Sequence, residues 1–237
     1  MTKFLIYFSV LFSLIASNAF ANNSEVTSLN QARTLTLNDV KFDKITGEIK
    51  GYTADYKDIV IPDNFDGIPV VFIGNGAFED SALTSVTIPN SVNEIGYEAF
   101  AKNALTSVTI PNSVFLMGSA AFYDNDLTSV TISNSLTEIG FYAFKGNALT
   151  SVIIPKSVTE IGVEAFYNNA LTSVTFPVTK IGGRGYPNFP FPVEFSSLTE
   201  IGNGAFAENA LTSVTIPNSV IELGNEAFDD TVIITRL

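Results

Sequence analysis

Residues 82–100 read ALTSVTIPNSVNEIGYEAF, and this stretch decides the fold because most of it recurs along the chain. The Ile-Gly pair in this stretch has counterparts along the chain, and the first residues of successive pairs are 22 positions apart. A period in the twenties predicts a solenoid, in which each repeat forms one coil and the stacked coils bury a continuous core. The five positions that define the period are Ile73, Ile95, Met117, Ile139 and Ile161.

Within each repeat, the segment Leu-Thr-Ser-Val-Thr-Ile-Pro predicts a half-buried strand. In its first copy, Val86 and Ile88 alternate with Ser85 and Thr87, so the apolar residues face one side and the hydroxyls the other. Proline has no N–H for a strand ladder, and the strand should therefore end before it. We expect the hydroxyls to form an exposed candidate binding face made of Ser85, Thr87, Ser107, Thr109, Ser129, Thr131, Ser173, Thr175, Ser213 and Thr215, with Ser151 and Ile153 at the equivalent positions of one further strand.

Three other columns predict how the coils pack. The phenylalanines of a recurring Ala-Phe pair should stack into an aromatic spine. The glycines that follow Ile are expected in tight bends with positive φ, and the asparagines are expected to bind backbone groups in the turns. These columns are Phe78, Phe100, Phe122, Phe144, Phe166, Phe206 and Phe228; Gly74, Gly96, Gly118, Gly140, Gly162 and Gly202; and Asn103, Asn125, Asn147, Asn169 and Asn209.

These columns together resemble the BspA-like leucine-rich repeat family of bacterial and protozoan surface proteins. The resemblance rests on the repeated phrase of residues 82–100 and on a lead-in that includes Asp66-Gly67-Ile68-Pro69-Val70, and it extends from about residue 42 to residue 228. It implies an α/β-type repeat solenoid, a right-handed leucine-rich repeat superhelix with a parallel β-sheet on one face and short helical or irregular turns on the other. It also implies adhesion or protein binding outside the cell, and no enzymatic activity.

The domain organisation follows from the ends of the repeat. Residues 1–21 read as a secretory signal peptide, with Lys3, an apolar run and a small-x-small site at Ala19–Ala21. We expect a flexible leader at 22–41, an N-terminal cap with a β-hairpin turning at Thr46-Gly47 plus the first coil at 42–72, and leucine-rich repeats at 73–237, irregular at 177–200. The product should be secreted or cell-surface associated, with the periplasm as an alternative, and without a membrane span after cleavage.

The composition excludes much chemistry. The 237 residues include no Cys, no His and no Trp, and the formal net charge is −12. Without Cys and His there is no disulfide framework, no zinc finger and no nucleophile system built on those residues. An acidic chain also lacks the basic surface that binds nucleic acid. We therefore predict no enzymatic activity, no cofactor, no metal site and no nucleic-acid partner.

The position directly before the repeated Ile is acidic in most repeats, and we call these residues the acidic column. It contains Glu94, Glu138, Glu160, Glu200 and Glu222 and is interrupted by Leu116 and Lys180. Stacked carboxylates repel each other unless a cation or water separates them. Calcium is one alternative, but the chain has no EF-hand or glycine-rich nonapeptide spacing, and a solvated acidic edge is favoured.

The register breaks once, between Ile161 and Ile201, where 40 residues stand in place of two units of 22. We predict two shortened units, the second of which replaces its Glu-Ala-Phe segment with the proline- and aromatic-rich residues 182–192. Either the aromatics of a decayed repeat fill the core, or they form an aromatic lip that contacts a partner. The residues of this candidate lip are Arg184, Tyr186, Phe189 and Phe191.

Taken together, the sequence predicts an exported binding or adhesion module that mediates protein–protein or cell-surface interaction. The expected partner is an extracellular or surface protein, with a glycan as a further class. One alternative is a self-assembling structural surface protein joined through its C-terminal segment, where Val232-Ile233-Ile234 has no polar cap. Another is a binder of ice or of a glycan surface through the regular hydroxyl ladder.

Overall fold

The computed structural model describes residues 32–181 and 193–237, and residues 34–237 form one compact unit. The regular elements in the described ranges are short β-strands. They are β1 (Arg33–Thr34), β2 (Val40–Asp43), β3 (Glu48–Tyr52), β4 (Asp58–Val60), β5 (Asn64–Phe65), β6 (Ile68–Pro69), β7 (Phe72–Ile73), β8 (Ser85–Thr87), β9 (Glu94–Ile95), β10 (Ser107–Thr109), β11 (Leu116–Met117), β12 (Ser129–Thr131), β13 (Glu138–Ile139), β14 (Ser151–Ile153), β15 (Glu160–Ile161), β16 (Ser173–Thr175), β17 (Thr179–Ile181), β18 (Val193–Phe195), β19 (Glu200–Ile201), β20 (Ser213–Ile216), β21 (Glu222–Leu223) and β22 (Ile233–Arg236).

Two ladders of parallel strands run along the solenoid, and each coil contributes one strand, or rung, to each ladder. Equivalent residues lie opposite each other, as Ser107 does to Ser129 and Ile73 to Ile95. The prediction of a solenoid with parallel strands is confirmed. The front ladder consists of β4, β8, β10, β12, β14, β16, β20 and β22, and the side ladder of β3, β7, β9, β11, β13, β15, β19 and β21.

The predicted aromatic spine forms the centre of the core. The phenylalanines of the seven Ala-Phe pairs stack in sequence, with ring centroids 5.1–5.7 Å apart and interplanar angles of 4–14°. The rings are 5% exposed or less. Leucines such as Leu83 and isoleucines such as Ile95 complete the buried interior. Stacked rings that exclude water in this way are a major source of the stability of the coil stack.

The turns between the ladders are irregular rather than helical, and residues 32–181 and 193–237 contain no helix. An α-helix needs each N–H to bind the carbonyl four residues earlier. Here the turn N–H groups donate to the next coil instead, as Phe78 N does to the Ala99 carbonyl at 2.8 Å. Left-handed residues such as Glu98 (φ 51°) and Lys102 (φ 56°) further interrupt any helical path. Of the two forms predicted for the turns, helical or irregular, the described residues show the irregular one.

Five of the six glycines after the repeated Ile serve close packing, Gly140 being the exception, and the prediction of a positive φ at these positions is wrong. The left-handed residues of the chain lie elsewhere, for example at Gly76 and Gly204. A Cβ atom placed on Gly118 would lie 2.5 Å from Tyr97 N and 2.7 Å from the Gly96 carbonyl carbon in the neighbouring coil. Glycine at this position allows two backbones to approach within a distance that no side chain permits.

The asparagine column performs the predicted role. The side-chain amide of Asn125, which is 6% exposed, donates to the Phe100 carbonyl at 2.9 Å and accepts from Leu105 N at 3.2 Å. Asn147 repeats the arrangement one coil later with Phe122 and Leu127. Each asparagine thus satisfies buried backbone groups in its own coil and in the preceding one, which would otherwise be costly to bury.

The break in register is an insertion, and the prediction of two shortened units is wrong. Glu160 pairs directly with Glu200 in the side ladder, and the rings of Phe166 and Phe206 stack at 5.3 Å. Residues 161 and 201 therefore lie in adjacent coils. The extra 18 residues, 178–195, include β17 and β18, and these two strands pair in antiparallel orientation. A coil requires a Leu-Thr-Ser-Val strand and an Ala-Phe pair, and this segment contains neither.

Part of the predicted leader belongs to the solenoid. Leu35 and Val40, within the segment 22–41, are only 2% and 6% exposed and pack in the core. Leu35 N also donates to the Val60 carbonyl at 2.9 Å. Asp39 fixes the local turn, because one carboxylate oxygen accepts from both the backbone N and the hydroxyl of Thr36 at 2.7 Å. Residues 35–40 are thus held by the first coil.

The predicted hairpin forms, with β2 antiparallel to β3 and β2 at the outer edge of that sheet. Its turn includes Gly47 with a φ of 71°. The Asp43 carboxylate accepts from Lys50 at 2.6 Å and from Ile45 N at 2.9 Å. The hydrogen bond from Lys50, followed by that from Ile45, lowers the pKa of Asp43 to about 2.

Candidate binding surfaces

The front face, defined as the outward side of the front ladder, carries the predicted hydroxyls. All ten predicted Ser and Thr residues are exposed there. Within each strand the central valine faces inward, as the burial of Val108 (5% exposed) and Val152 (3% exposed) shows. The alternation read from the sequence therefore places the side chains correctly, and the role of this face in binding stays a prediction.

The front ladder is divided into pairs of rungs, which the sequence did not indicate. Hydrogen-bonded pairs form between β4 and β8, β10 and β12, β14 and β16, and β20 and β22. Between successive pairs, the described strands lie side by side without ladder pairing, and a cleft opens at each of these three places. The clefts measure about 330 Å³ between β8 and β10, about 310 Å³ between β12 and β14, and about 430 Å³ between β16 and β20.

Each cleft combines hydroxyls with a small apolar surface. In the central cleft, Val130 is half-buried and Ile153 is 66% exposed, beside the hydroxyls of Ser129 and Thr131. Strand edges without a ladder partner leave N–H and C=O groups able to bind an external group. The clefts recur every second rung, and binding of ice or of a glycan surface through the hydroxyl ladder stays a prediction.

The acidic column is more continuous than predicted. Glu138, Glu160, Glu200 and Glu222 are consecutive partners in the side ladder. Lys180 lies in the insertion and does not interrupt them, which corrects the prediction. Partial burial, and then the charges of Glu160 and Glu222, raise the pKa of Glu200. Within the described ranges, no group of three or more acidic side chains has an arrangement suited to a metal ion.

A second surface, which the sequence analysis missed, lies on the turns that follow the side ladder. We call it the tyrosine pocket, and it has a volume of about 240 Å³. Tyr97 and Tyr142 are 50% and 40% exposed, although large apolar rings are usually buried. The signal was available, because the equivalent positions in other coils hold mainly small or polar residues. The pocket is lined by Tyr97, Glu98, Ala120, Tyr123, Tyr142 and Lys145.

Charged groups at the edge of this pocket are held by specific partners. Lys145 Nζ lies 2.5 Å from the Glu164 carboxylate and 5.0 and 4.7 Å from the ring centroids of Tyr142 and Tyr167. The hydrogen bond to Glu164 raises the pKa of Lys145. On the opposite side, Tyr97 OH donates to Glu98 Oε1 at 2.8 Å, which raises the pKa of Tyr97. Both charged side chains are therefore oriented at the pocket edge.

Two predictions fall on residues that the structure does not describe. The signal peptide at 1–21 and the aromatic lip of Arg184, Tyr186, Phe189 and Phe191 lie outside the described ranges. Both stay predictions. In the part of the chain that is described, no helix has the length and apolar character needed to cross a bilayer.

Comparison with known proteins identifies relatives of this fold. Residues 71–189 and 187–237 match a family model described as BspA type leucine rich repeat region, in six copies. A comparison with curated protein sequences finds no match. A leucine-rich repeat protein from Bacteroides ovatus ATCC 8483 is 21% identical with a TM-score of 0.50, and the match covers 83% of this chain and 65% of that one.

A second solved structure, the pneumococcal vaccine antigen PcpA, is 20% identical with a TM-score of 0.51. This match covers 86% of the present chain and 54% of that one. The chain thus spans less than two thirds of the length of either structure. Sequence identities of 20% and 21% show that these two structures share the fold of this chain.

Proposed function

This chain belongs to the family of BspA-type leucine-rich repeat proteins, and from that premise we propose that it is an exported module that binds a protein or cell surface through its front face. The observation that carries this proposal is the row of ten hydroxyl side chains exposed along consecutive rungs. Solenoids commonly bind macromolecules through such extended faces. Adhesion to a surface is the biological role that we propose for this binding.

The chemistry of the front face favours a broad contact. Ser and Thr side chains can both donate and accept hydrogen bonds, and they lose little conformational entropy when a partner covers them. The three clefts add shallow apolar contacts such as Ile153, which is 66% exposed. A partner that spans several rungs would bury more surface than any single cleft offers, as a protein–protein interface requires.

The charge of the chain limits the class of partner. With a formal net charge of −12, the protein repels nucleic acid and other strongly acidic surfaces. Neutral or basic proteins are therefore the expected partners, and electrostatic attraction to a basic partner would speed association at low salt. Weaker capture at raised salt would indicate a basic partner.

A pair of variants in one coil tests the role of the front face. Thr131→Arg places a bulky charge in the central cleft, whereas Thr137→Arg makes the same change at an exposed position between the ladders. Both proteins are used to capture extracellular proteins and intact cells. We expect T131R to lose a partner that both wild type and T137R retain. Equal capture by the two variants would contradict the proposal.

Export is the second part of the proposal, supported by the pattern of residues 1–21. The full chain is expressed in a bacterial host, and the exported protein is analysed by mass spectrometry. We expect its first residue to be Asn22, and we expect a chain that lacks residues 1–21 to stay in the cytoplasm. An exported chain that still begins at Met1 would refute cleavage.

Self-association is a second candidate, favoured by the exposure of strand β22. Ile233, Ile234 and Leu237 are 66%, 41% and 43% exposed, and β22 pairs on one side with β20. A second copy could extend the ladder from this strand. Sedimentation of wild type and Ile233→Lys over a range of concentrations tests this. Concentration-dependent dimers that the substitution removes would support it, and a wild-type monomer at all concentrations would exclude it.

A further inference from the structure

We propose that the tyrosine pocket binds one neutral sugar ring of a glycan, at a site separate from the front face. The pocket spans three coils, which supply Tyr97 and Glu98, then Ala120 and Tyr123, then Tyr142 and Lys145. Its volume of about 240 Å³ is below the roughly 300–1,000 Å³ of sites for drug-sized ligands. A single ring fits this scale better than an extended chain.

A small side chain opens the pocket. Ala120 lies at its centre, and the equivalent residues of the adjacent coils are the larger Glu98 and Tyr142. The side ladder is interrupted in the strands that precede this turn, between β11 and β13, whereas at the turn Ala120 N still donates to the Phe141 carbonyl at 2.7 Å. The small side chain of Ala120 therefore leaves room between the tyrosines.

Tyr142 presents its ring from a left-handed turn position that all seven equivalent coils share. Tyr142 has a φ of 58°, and the equivalent positions in two other coils are Gly76 and Gly204, with φ of 60° and 62°. This left-handed turn favours glycine, and a bulky residue there is strained by about 1 kcal/mol or more. The same left-handed φ recurs at Glu98, Ala120, Glu164 and Glu226, so the conformation belongs to the turn of every coil and the ring is what distinguishes Tyr142. Tyr142 thus keeps an exposed ring at a position where glycine would be more stable.

The mixture of ring faces and charged groups selects a sugar over other ligands. A pyranose offers C–H groups to the tyrosine faces and hydroxyls that can pair with both Glu98 and Lys145. Each of these charged groups has a partner in the protein, and an apolar side chain would remove water from both without adding a hydrogen bond, which is costly. A cationic side chain would meet Lys145, and an anionic sugar would meet Glu98 and the net charge of −12. A neutral sugar avoids all three penalties.

Saturation-transfer NMR with methyl glycosides of glucose, galactose, mannose and N-acetylglucosamine tests the proposal. The aromatic protons of the protein are irradiated, and transfer to each glycoside is measured. We expect transfer to at least one glycoside and an affinity about tenfold weaker in Tyr142→Gly, because a stacked ring contributes about this factor. Glycine also relieves the strained φ, so the variant should melt no lower than wild type.

The matched control is Glu226→Gly, which makes the same change at the equivalent turn position, with a φ of 53°. It should bind as wild type does. The front-face variant Thr131→Arg should also retain sugar binding, so that failure of this proposal and failure of the front-face proposal are separate results. The inference would be overturned if none of the four glycosides showed saturation transfer, or if Y142G bound the glycoside as tightly as wild type.

Discussion

Two glycines of the same column should respond in opposite directions to the same substitution. Gly118 and Gly140 occupy equivalent positions in adjacent coils, and neither has a positive φ. A Cβ on Gly118 would meet Tyr97 N at 2.5 Å, whereas a Cβ on Gly140 would have its nearest contacts at 3.5 Å, on Ser119. We therefore expect Gly118→Ala to destabilise the protein and Gly140→Ala to leave it unchanged or more stable.

The magnitude follows from the contacts. The three nearest atoms to the Gly118 Cβ are backbone atoms at 2.5–2.9 Å, which cannot rotate away, so the coils must separate. Overpacking of this kind costs about 1–3 kcal/mol. At Gly140 the contacts are ordinary, and replacing glycine stabilises by about 0.4–1 kcal/mol because the unfolded chain loses freedom. The two variants should therefore differ by roughly 1.4–4 kcal/mol in the free energy of unfolding.

Urea unfolding followed by circular dichroism measures this difference, and thermal unfolding provides a second readout. For a domain of this size, a loss of about 2 kcal/mol lowers the midpoint of thermal unfolding by about 4–8 °C. The reasoning would be refuted if the two substitutions changed the free energy of unfolding by amounts that agree within about 0.5 kcal/mol. The glycines would then serve a shared backbone conformation, and close approach of the coils would not explain the column.

Three further predictions concern the asparagine column, the insertion and the acidic column. Asn125→Ala leaves Leu105 N without its partner and should cost about 2–4 kcal/mol of unfolding free energy, measured by urea titration; a loss below about 0.5 kcal/mol would contradict this. Deletion of residues 178–195 restores a 22-residue coil, so it should leave the circular dichroism spectrum and cooperative melting intact, and a molten product would contradict the insertion. Because the pKa of Glu200 is raised in the folded state, the native protein binds protons more readily than the unfolded chain there, and stability should rise as pH falls through that range. Glu200→Gln should therefore stabilise the protein at pH 7 and flatten this dependence, and a destabilised variant would contradict it.

The sequence predicts features that repeat within each coil. Val86 and Ser85 alternate over neighbouring residues, and Phe78 recurs at the coil period, so local chemistry and the period together place them. The glycine column shows the limit of this approach. Whether Gly118 serves a bend or a close approach depends on its distance to Tyr97 in the preceding coil, which no local pattern contains. The pairing of rungs in the front ladder depends on the same kind of distance between coils.

The insertion and the tyrosine pocket were missed for a different reason. Both lie where the chain departs from its repeat, and a search for repeated columns gives such departures little weight. The signals were present, since residues 178–197 lack the strand and Ala-Phe segments of a coil, and Tyr97 and Tyr142 replace small or polar residues. The structure was needed to interpret the insertion, because only strand pairing shows that residues 161 and 201 belong to adjacent coils.

The insertion also has a consequence for how this protein can change. The two ends of segment 178–195 lie together, because β17 and β18 pair, and the rings of Phe166 and Phe206 stack directly between the coils on either side of it in the sequence. Loops whose ends are already close can vary in length at little thermodynamic cost. The segment is thus an exchangeable module on a fixed scaffold, and a different peptide could replace it while every coil keeps its neighbours.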